Sequence, residues 1–296
     1  MTIEYPAENW KDYALVDCGD GEKLEKYGNI LMARPEPKAL WHKSLPDWDS
    51  RIHTRFSPGA GFGKAGKEDS GTWQRLRKME DQWYIRYEGG PKFTLRLGLT
   101  SFKHVGVFPE QAPNWEYIYK SVRALGGAPR VLNLFAYTGA ASLAARAAGA
   151  EVTHLDSVRQ VVTWARGNME NSRMDGIHWV VEDAMKFARR EARRGNVYQG
   201  IILDPPAYGH GPDGEKWKLD ELLFDLLCTV DKILAPKDSF LVLNLYSNGY
   251  SAMLGETLVR EAFHPGEGAS IESGELALRD SFGKVLPLSI FVRLKR

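Results

Sequence analysis

From about residue 115 onward the apolar residues alternate between two patterns: short unbroken runs rich in branched side chains, and longer stretches with apolar positions three and four apart. The short runs, at residues 130–135, 151–156, 177–183, 200–204 and 239–245, are too continuous for half-exposed strands and read as strands covered on both faces. The longer stretches between them, "AASLAARAAG", "VRQVVTWARGNMENSRM", "AMKFARREARRG" and "WKLDELLFDLLCTVDKIL", carry the spacing of helices that supply the cover. Strand and helix in alternation predict an α/β fold with a parallel sheet. Two further runs, 274–280 and 286–296, are joined only by a turn at Phe282, Gly283 and Lys284, and strands joined so closely must pair antiparallel. The predicted sheet therefore has seven strands, mostly parallel, ending in an antiparallel C-terminal hairpin.

Before residue 100 the pattern is different. Runs with a period of two, "YALVDCG", "GNILMARP", "QWYIRYEG" and "KFTLRLGL", lie between turn signals. They predict a small, mainly β accessory domain over residues 1–100 and an α/β domain over 101–296. An apolar fraction of 43% with nine Trp allows substantial cores. The glycine-rich stretch 56–71 reads as a loop, and neither of its lysines is followed by the Ser or Thr of a Walker phosphate loop.

Charge and cysteine content narrow the classes. A net charge of +1 does not imply a chain coated in one sign, yet residues 34–104 hold fourteen Lys or Arg against eight Asp or Glu, a local excess of six. That bias is compatible with nucleic acid and equally with an ordinary solvated surface. Cys18 and Cys228 share no ligand spacing, so neither a disulfide framework nor a metal site is predicted. No stretch approaches the roughly 20 apolar residues of a membrane helix, and the first ten residues lack a signal-peptide core, so a cytoplasmic protein away from membranes is expected.

In an open parallel sheet, ligands bind beyond the carboxyl ends of the strands. Three of the predicted strands end at or near an acid, Asp156, Asp183 and Asp204, and the first runs instead into "AYTGAAS". Gly139 lets that turn adopt a conformation other residues resist, and the helix after it offers free N–H groups that suit a carboxylate or phosphate. Asp156 follows Gly139 by 17 residues, near the spacing at which an acid accepts the hydroxyls of a ribose. Turn and acid together point to a nucleoside-bearing cofactor, while the lack of G-x-G-x-x-G argues against the pyrophosphate of NAD or FAD. Each acid also has a plain reading as a helix cap. For Asp183 the cap and a place beside the exocyclic amine of a purine are compatible.

In order along the chain, "VLNLFAYTGAASLAARAAGAEVTHLDSV", "VVEDAMKFARR" and "ILDPPAYGHG" resemble the successive signature segments of class I S-adenosylmethionine-dependent methyltransferases, whose sheet is Rossmann-like. More narrowly they resemble the bacterial branch with the large-subunit ribosomal RNA methyltransferases that act on cytosine C5 or guanine N7. "FKHVGVFPEQAPNW" resembles the lead-in of that branch, and the likeness covers about residues 95–296. The resemblance implies S-adenosyl-L-methionine as cofactor and RNA, ribosomal RNA first, as partner. It implies that the turn carrying Phe135, Tyr137, Thr138, Gly139 and Ala140 holds the methionine end, Asp156 the ribose and Asp183 the adenine amine. Gln111 would close over the site, and Asp204 would face the transferred methyl and the substrate.

Proline lacks an N–H and fixes φ, so Pro205 and Pro206 hold the exit of the Asp204 strand extended and are expected to leave nearby carbonyls free for a substrate amine. Asp204, Pro205 and Tyr208 are the candidate catalytic residues. Tyr208 offers a stacking face for a flat substrate, with a packed loop aromatic as the alternative, and His210 reads as a loop residue within reach of a proton. Attack by cytosine C5 requires a cysteine that adds at C6. In the cytosine-modifying relatives that cysteine follows the fifth strand, where this chain has Ser247 and Asn248. Cys228 lies in an apolar helical pattern and Cys18 precedes the cofactor-binding part. The expected reaction is therefore methyl transfer to a nitrogen or oxygen of an RNA base. The rivals are a small-molecule or protein methyltransferase, a nicotinamide-dependent oxidoreductase, and a non-catalytic RNA-binding protein on the same fold.

Overall fold

A computed structural model describes residues 2–62, 70–246 and 249–296. The N-terminal part contains β1 (Thr2–Glu4), β2 (Tyr13–Gly19), β3 (Glu22–Tyr27), β4 (Ile30–Pro35), β5 (Thr54–Pro58), β6 (Gly71–Arg75), β7 (Gln82–Glu88) and β8 (Lys92–Gly98). After a 3-10 turn at Pro109–Gln111 come α1 (Ala112–Leu125), β9 (Arg130–Leu134), α2 (Ala140–Ala147), β10 (Glu151–Asp156), α3 (Arg159–Asn171), β11 (Ile177–Val181) and α4 (Ala184–Arg194). The chain ends with β12 (Gly200–Leu203), β13 (Tyr208–His210), β14 (Lys216–Lys218), α5 (Leu219–Asp231), β15 (Phe240–Leu245), α6 (Ala252–Phe263), β16 (Ser270–Arg279) and β17 (Val285–Lys295).

The largest sheet has the order β1-β16-β17-β15-β12-β9-β10-β11. Strands β11, β10, β9, β12 and β15 run parallel, and β17 runs antiparallel to both β15 and β16. The sheet has eight strands, not the predicted seven. The extra one, β1, is a three-residue edge strand parallel to β16, too short to carry a periodic signal. Strands β2 to β6 form a separate five-stranded sheet and β7 pairs with β8. The loop predicted over residues 56–71 begins in β5 and ends in β6, and its residues 63–69 lie outside the described residues.

Alternation inside the parallel strands sends neighbours to opposite faces, as a pleat requires. Val131, Ile202 and Val242 pack with Ile118 of α1 and Leu143 of α2, whereas Leu132, Ile201 and Leu241 pack with Phe187 of α4, Leu226 of α5 and Val259 of α6. The first of these cores continues into the N-terminal strands through Trp115 of α1. Its ring lies 5.8 Å from Trp10, 5.2 Å from Tyr87 and 5.5 Å from Phe93, all at steep angles. Edge-on aromatic pairs contribute about 0.5–1.5 kcal/mol each beyond their buried area, so this cluster is a firm joint between the two parts of the chain. Among the described residues, no helix is long and apolar enough to cross a membrane.

Candidate functional site

The chain leaves β9 towards β10 and β11 on one side, then returns to lay β12 and β15 on the other. The helices that follow β9 and β12 therefore diverge, and a cleft opens beyond the carboxyl ends of these strands.

The turn after β9 has an unusual backbone. Phe135 (φ 56°), Tyr137 (φ 49°) and Gly139 (φ 94°) are all left-handed, at a cost of about 1–2 kcal/mol for each residue that is not glycine. Its surroundings hold it in place. The Tyr137 N–H donates to Asp156 Oδ2 at 3.0 Å, the Thr138 hydroxyl donates to the Gly106 carbonyl at 2.6 Å, and Asn168 Nδ2 donates to the Thr138 carbonyl at 2.9 Å. The turn delivers α2 with its N-terminus uncapped by any side chain. Free N–H groups and the positive end of the helix dipole thus face the cleft beside Ala140 and Ala141, where an anionic group is stabilised.

Gln111, Phe135, Tyr137, Thr138, Gly139, Ala140 and Asp204 all line this one cleft. Asp204 accepts from Asn244 Nδ2 at 2.6 Å. It keeps some solvent access, yet enclosure by protein pushes its carboxyl up to about 7; the charge of Glu110 adds to that rise and the Asn244 bond opposes it. Gln111 is fixed from behind. Its Oε1 accepts from Asn114 Nδ2 at 2.9 Å, Asn114 Oδ1 accepts from Arg293 Nη2 at 2.9 Å, and Arg293 pairs with Glu4 of β1 through both guanidinium Nη atoms.

Four nominated residues stand outside that lining. Asp156 sits directly behind the turn, its two oxygens accepting from the N–H groups of Tyr137 and Val158; burial holds its carboxyl above the usual range against those bonds. A carboxylate has about four acceptor positions, so it retains capacity for hydroxyl donors. Asp183 caps α4, accepting from the Lys186 N–H at 2.8 Å, which is the plain reading of that position. Pro205 is buried one residue past Asp204. Tyr208 lies in the small β13–β14 hairpin, where its hydroxyl and His210 Nε2 are 3.1 Å apart and the two rings meet edge-on.

One expectation is corrected. The carbonyls after the two prolines are not all free: Pro206 O accepts from Trp217 Nε1 at 2.7 Å and Ala207 O accepts from the Leu219 N–H at 2.9 Å. Trp217 is buried with its ring centroid 4.9 Å from that of Phe135, so it ties the Pro-Pro segment to the turn and takes up the Pro206 carbonyl. Ser247 and Asn248 lie outside the described residues. Cys18 is fully buried with its thiol pushed up to about 11 by burial, and Cys228 packs at the edge of the core on α5; neither lines the cleft.

Sequence reasoning passed over Asn133 and Asn244, which also line the cleft. The signal was present as a polar residue inside an otherwise apolar run, "RVLNLF" and "FLVLNL". Asn133 donates to Ser142 Oγ at 2.9 Å, and that hydroxyl lies 2.9 Å from Nδ1 of His154, which burial holds neutral with a pKa near 3. Asn244 is buried with its Oδ1 lacking any partner, and an unmatched buried acceptor costs about 1–3 kcal/mol unless a ligand supplies a donor.

Comparison with known proteins follows the same lines. A family described as "Conserved hypothetical protein 95" matches residues 100–217. A solved structure, an S-adenosylmethionine-dependent methyltransferase from Agrobacterium tumefaciens, is 38% identical and superposes with a TM-score of 0.90, covering 100% of this chain and 93% of that one. A second, from Streptococcus mutans and described as a putative S-adenosylmethionine-dependent methyltransferase, shares the fold at 15% identity with a TM-score of 0.73, covering 98% of this chain and 76% of that one. Among curated proteins, the ribosomal RNA large subunit methyltransferase K/L of Shewanella baltica is 30% identical over 210 residues, which is 68% of this chain and 28% of that protein. The chain thus spans about a quarter of the length of such curated relatives.

Proposed function

The chain belongs to the class I S-adenosylmethionine-dependent methyltransferases, and from that premise we propose that it methylates a nitrogen, or an oxygen, of an RNA base, with ribosomal RNA the first candidate. The observation that carries the cofactor part of the reading is the convergence, in one cleft, of an uncapped helix N-terminus, a carboxyl that burial raises to about 7 and an unmatched buried acceptor; the RNA part is supported by the named relatives. These groups suit the bound cofactor. When bound, S-adenosylmethionine supplies a methyl group on a sulfonium that already carries the activating positive charge.

The residues of the chain divide the remaining work. The turn from Phe135 to Ala140 and the first N–H groups of α2 hold the methionine carboxylate. Asp156 accepts the ribose hydroxyls while keeping the turn in place, Asp183 lies near the adenine amine, and Gln111 closes over the cofactor. Asp204 would take up the proton that the acceptor N–H or O–H gives up on methylation, while Asn244 orients its carboxylate and offers Oδ1 to a second donor. Positioning in this sense lowers the barrier by removing the entropy of encounter. Pro205 keeps Asp204 at the end of a rigid exit, and Tyr208 presents an aromatic face on the hairpin beside it. Residues 1–100 serve as an accessory unit for substrate and 101–296 as the transfer unit, in a protein that works in the cytoplasm.

Calorimetry with S-adenosylhomocysteine tests the assignment. Wild type binds it, Asp156→Ala binds about tenfold or more weakly because two charge-assisted bonds are lost, and Asp204→Asn keeps its affinity within about twofold while losing turnover on ribosomal RNA. Unchanged affinity in Asp156→Ala overturns the ribose assignment.

A further inference from the structure

We infer that Arg293 and Asn114 are positioning residues for the methyl donor: they fix the side-chain amide of Gln111 so that its N–H groups, not its carbonyl, enter the cleft and bind the carboxylate at the amino-acid end of the cofactor. This rests on the proposed placement of Gln111 over the cofactor and adds the direction of its hydrogen bond, the group it binds and the residues that act through it.

A guanidinium has donors only, so the Asn114 atom that it touches must be the oxygen. Arg293 Nε and Nη2 both donate to Asn114 Oδ1, at 3.1 and 2.9 Å. Asn114 therefore turns its nitrogen to Gln111, three residues earlier at the start of α1, and donates to Gln111 Oε1 at 2.9 Å. That bond occupies the Gln111 carbonyl and leaves Nε2 as the outward end. Gln111 is only 9% exposed and lines the cleft, and its Nε2 has no partner among the described residues. A buried donor in that position requires an acceptor on the ligand.

The far end of this relay is firmly anchored. Arg293 is buried, and its Nη1 and Nη2 donate to the two carboxylate oxygens of Glu4 at 2.9 and 2.7 Å. Its planar head lies 4.6 Å from the ring centroid of Tyr117 and 4.1 Å from that of Phe291. A guanidinium held by a fork of two bonds and by ring faces keeps one orientation, and passes that orientation to both amides.

Size and charge identify the acceptor. The cleft measures about 50 Å³ and a water-sized group needs about 10–15 Å³, so it takes about three to five such groups. That is the bulk of a carboxylate with its α-carbon and ammonium, and far less than a nucleoside. Among the described residues neither Lys nor Arg lines the cleft, so a carboxylate there depends on neutral donors: the first N–H groups of α2 and the Gln111 amide. Asn244, in the same lining, gives its nitrogen to Asp204 and keeps Oδ1 unmatched, an acceptor of the kind that the ammonium needs.

The test is calorimetry of the full chain with two probes, S-adenosylhomocysteine and 5′-methylthioadenosine, which keeps the adenosine and the sulfur but lacks the amino-acid end. Gln111→Ala weakens S-adenosylhomocysteine about tenfold and leaves 5′-methylthioadenosine within about twofold. The isosteric Asn114→Asp still accepts from Arg293 but faces Gln111 with an oxygen, so Gln111 turns its N–H groups away from the cleft. The same split between the probes is expected, and in the Gln111→Ala background Asn114→Asp adds no further loss. Arg293→Met reproduces the split from outside the cleft. A general disturbance of the fold moves both probes, so equal weakening of the two by Asn114→Asp overturns the inference. Losses that add in the double variant overturn it as well, because Asn114 then acts on the ligand without Gln111. Weakened binding in Gln111→Ala with wild-type binding in Asn114→Asp refutes the relay and leaves Gln111 over the cofactor. Wild-type S-adenosylhomocysteine affinity in Gln111→Ala refutes that placement and the relay with it.

Discussion

The role proposed for Asp204 places conflicting demands on a single side chain. Burial favours its protonated form and lifts it to about 7, whereas accepting a proton from the substrate requires the ionised form. Turnover should therefore rise with pH along a limb centred near 7 and level off above it. The Asn244 bond pulls the other way, so Asn244→Ala should move that limb to higher pH; a limb that stays in place or moves down removes Asn244 from the account. Stability must show the opposite dependence. A carboxyl raised on folding adds stability that is fully present below its ordinary value of 3.8 and lost as pH rises through about 7. Asp204→Asn should consequently melt higher than wild type at pH 8 while being inactive, the usual mark of a site whose chemistry opposes stability. Equal melting temperatures at pH 8 would show that folding does not raise the Asp204 carboxyl.

At the scale of elements, β3 shows what a hydrophobic pattern hides. "EKLEKY" reads as a polar segment, yet Glu25 and Tyr27 are fully buried. Two tyrosines, Tyr13 and Tyr27, donate to Glu25 Oε1 at 3.0 and 2.9 Å, and Arg34 donates to Oε2 at 2.8 and 2.5 Å. Removing one partner leaves a buried charge unmatched, so Arg34→Met should cost about 3–5 kcal/mol in urea denaturation. Replacing both, Glu25→Gln with Arg34→Met, should cost less than that single change; a cost equal to or above it contradicts the pairing. The parallel strands were legible because burial on both faces demands unbroken apolar runs. The first helix of the α/β part was passed over although Trp115, Ile118 and Val122 stand three and four apart, and the last helix, Ala252–Phe263, carries the same kind of signal. The β13–β14 hairpin leaves almost no pattern, because each strand has three residues and only Trp217 among its members is buried.

Over the whole molecule, the turn residues and Asp204 could be read from the sequence because each lies at the end of a strand whose place in the sheet is fixed by its apolar run. What could not be read is how the N-terminal part meets them. That junction depends on contacts between residues hundreds of positions apart. Lys284 in the final turn donates to Asp17 Oδ1 at 2.7 Å and to the Cys18 carbonyl at 2.6 Å, and Arg293 links Glu4 through Asn114 to Gln111. Such pairs have no signature in a single sequence, yet they tie β2 to the C-terminal turn and hold Gln111 at the cleft. The most direct test of the account is mass spectrometry of nucleosides after the purified chain is incubated with methyl-labelled S-adenosylmethionine and unmodified ribosomal RNA. The account predicts label in an N-methylated or O-methylated base; label confined to 5-methylcytidine, or no label in any RNA nucleoside, would contradict it.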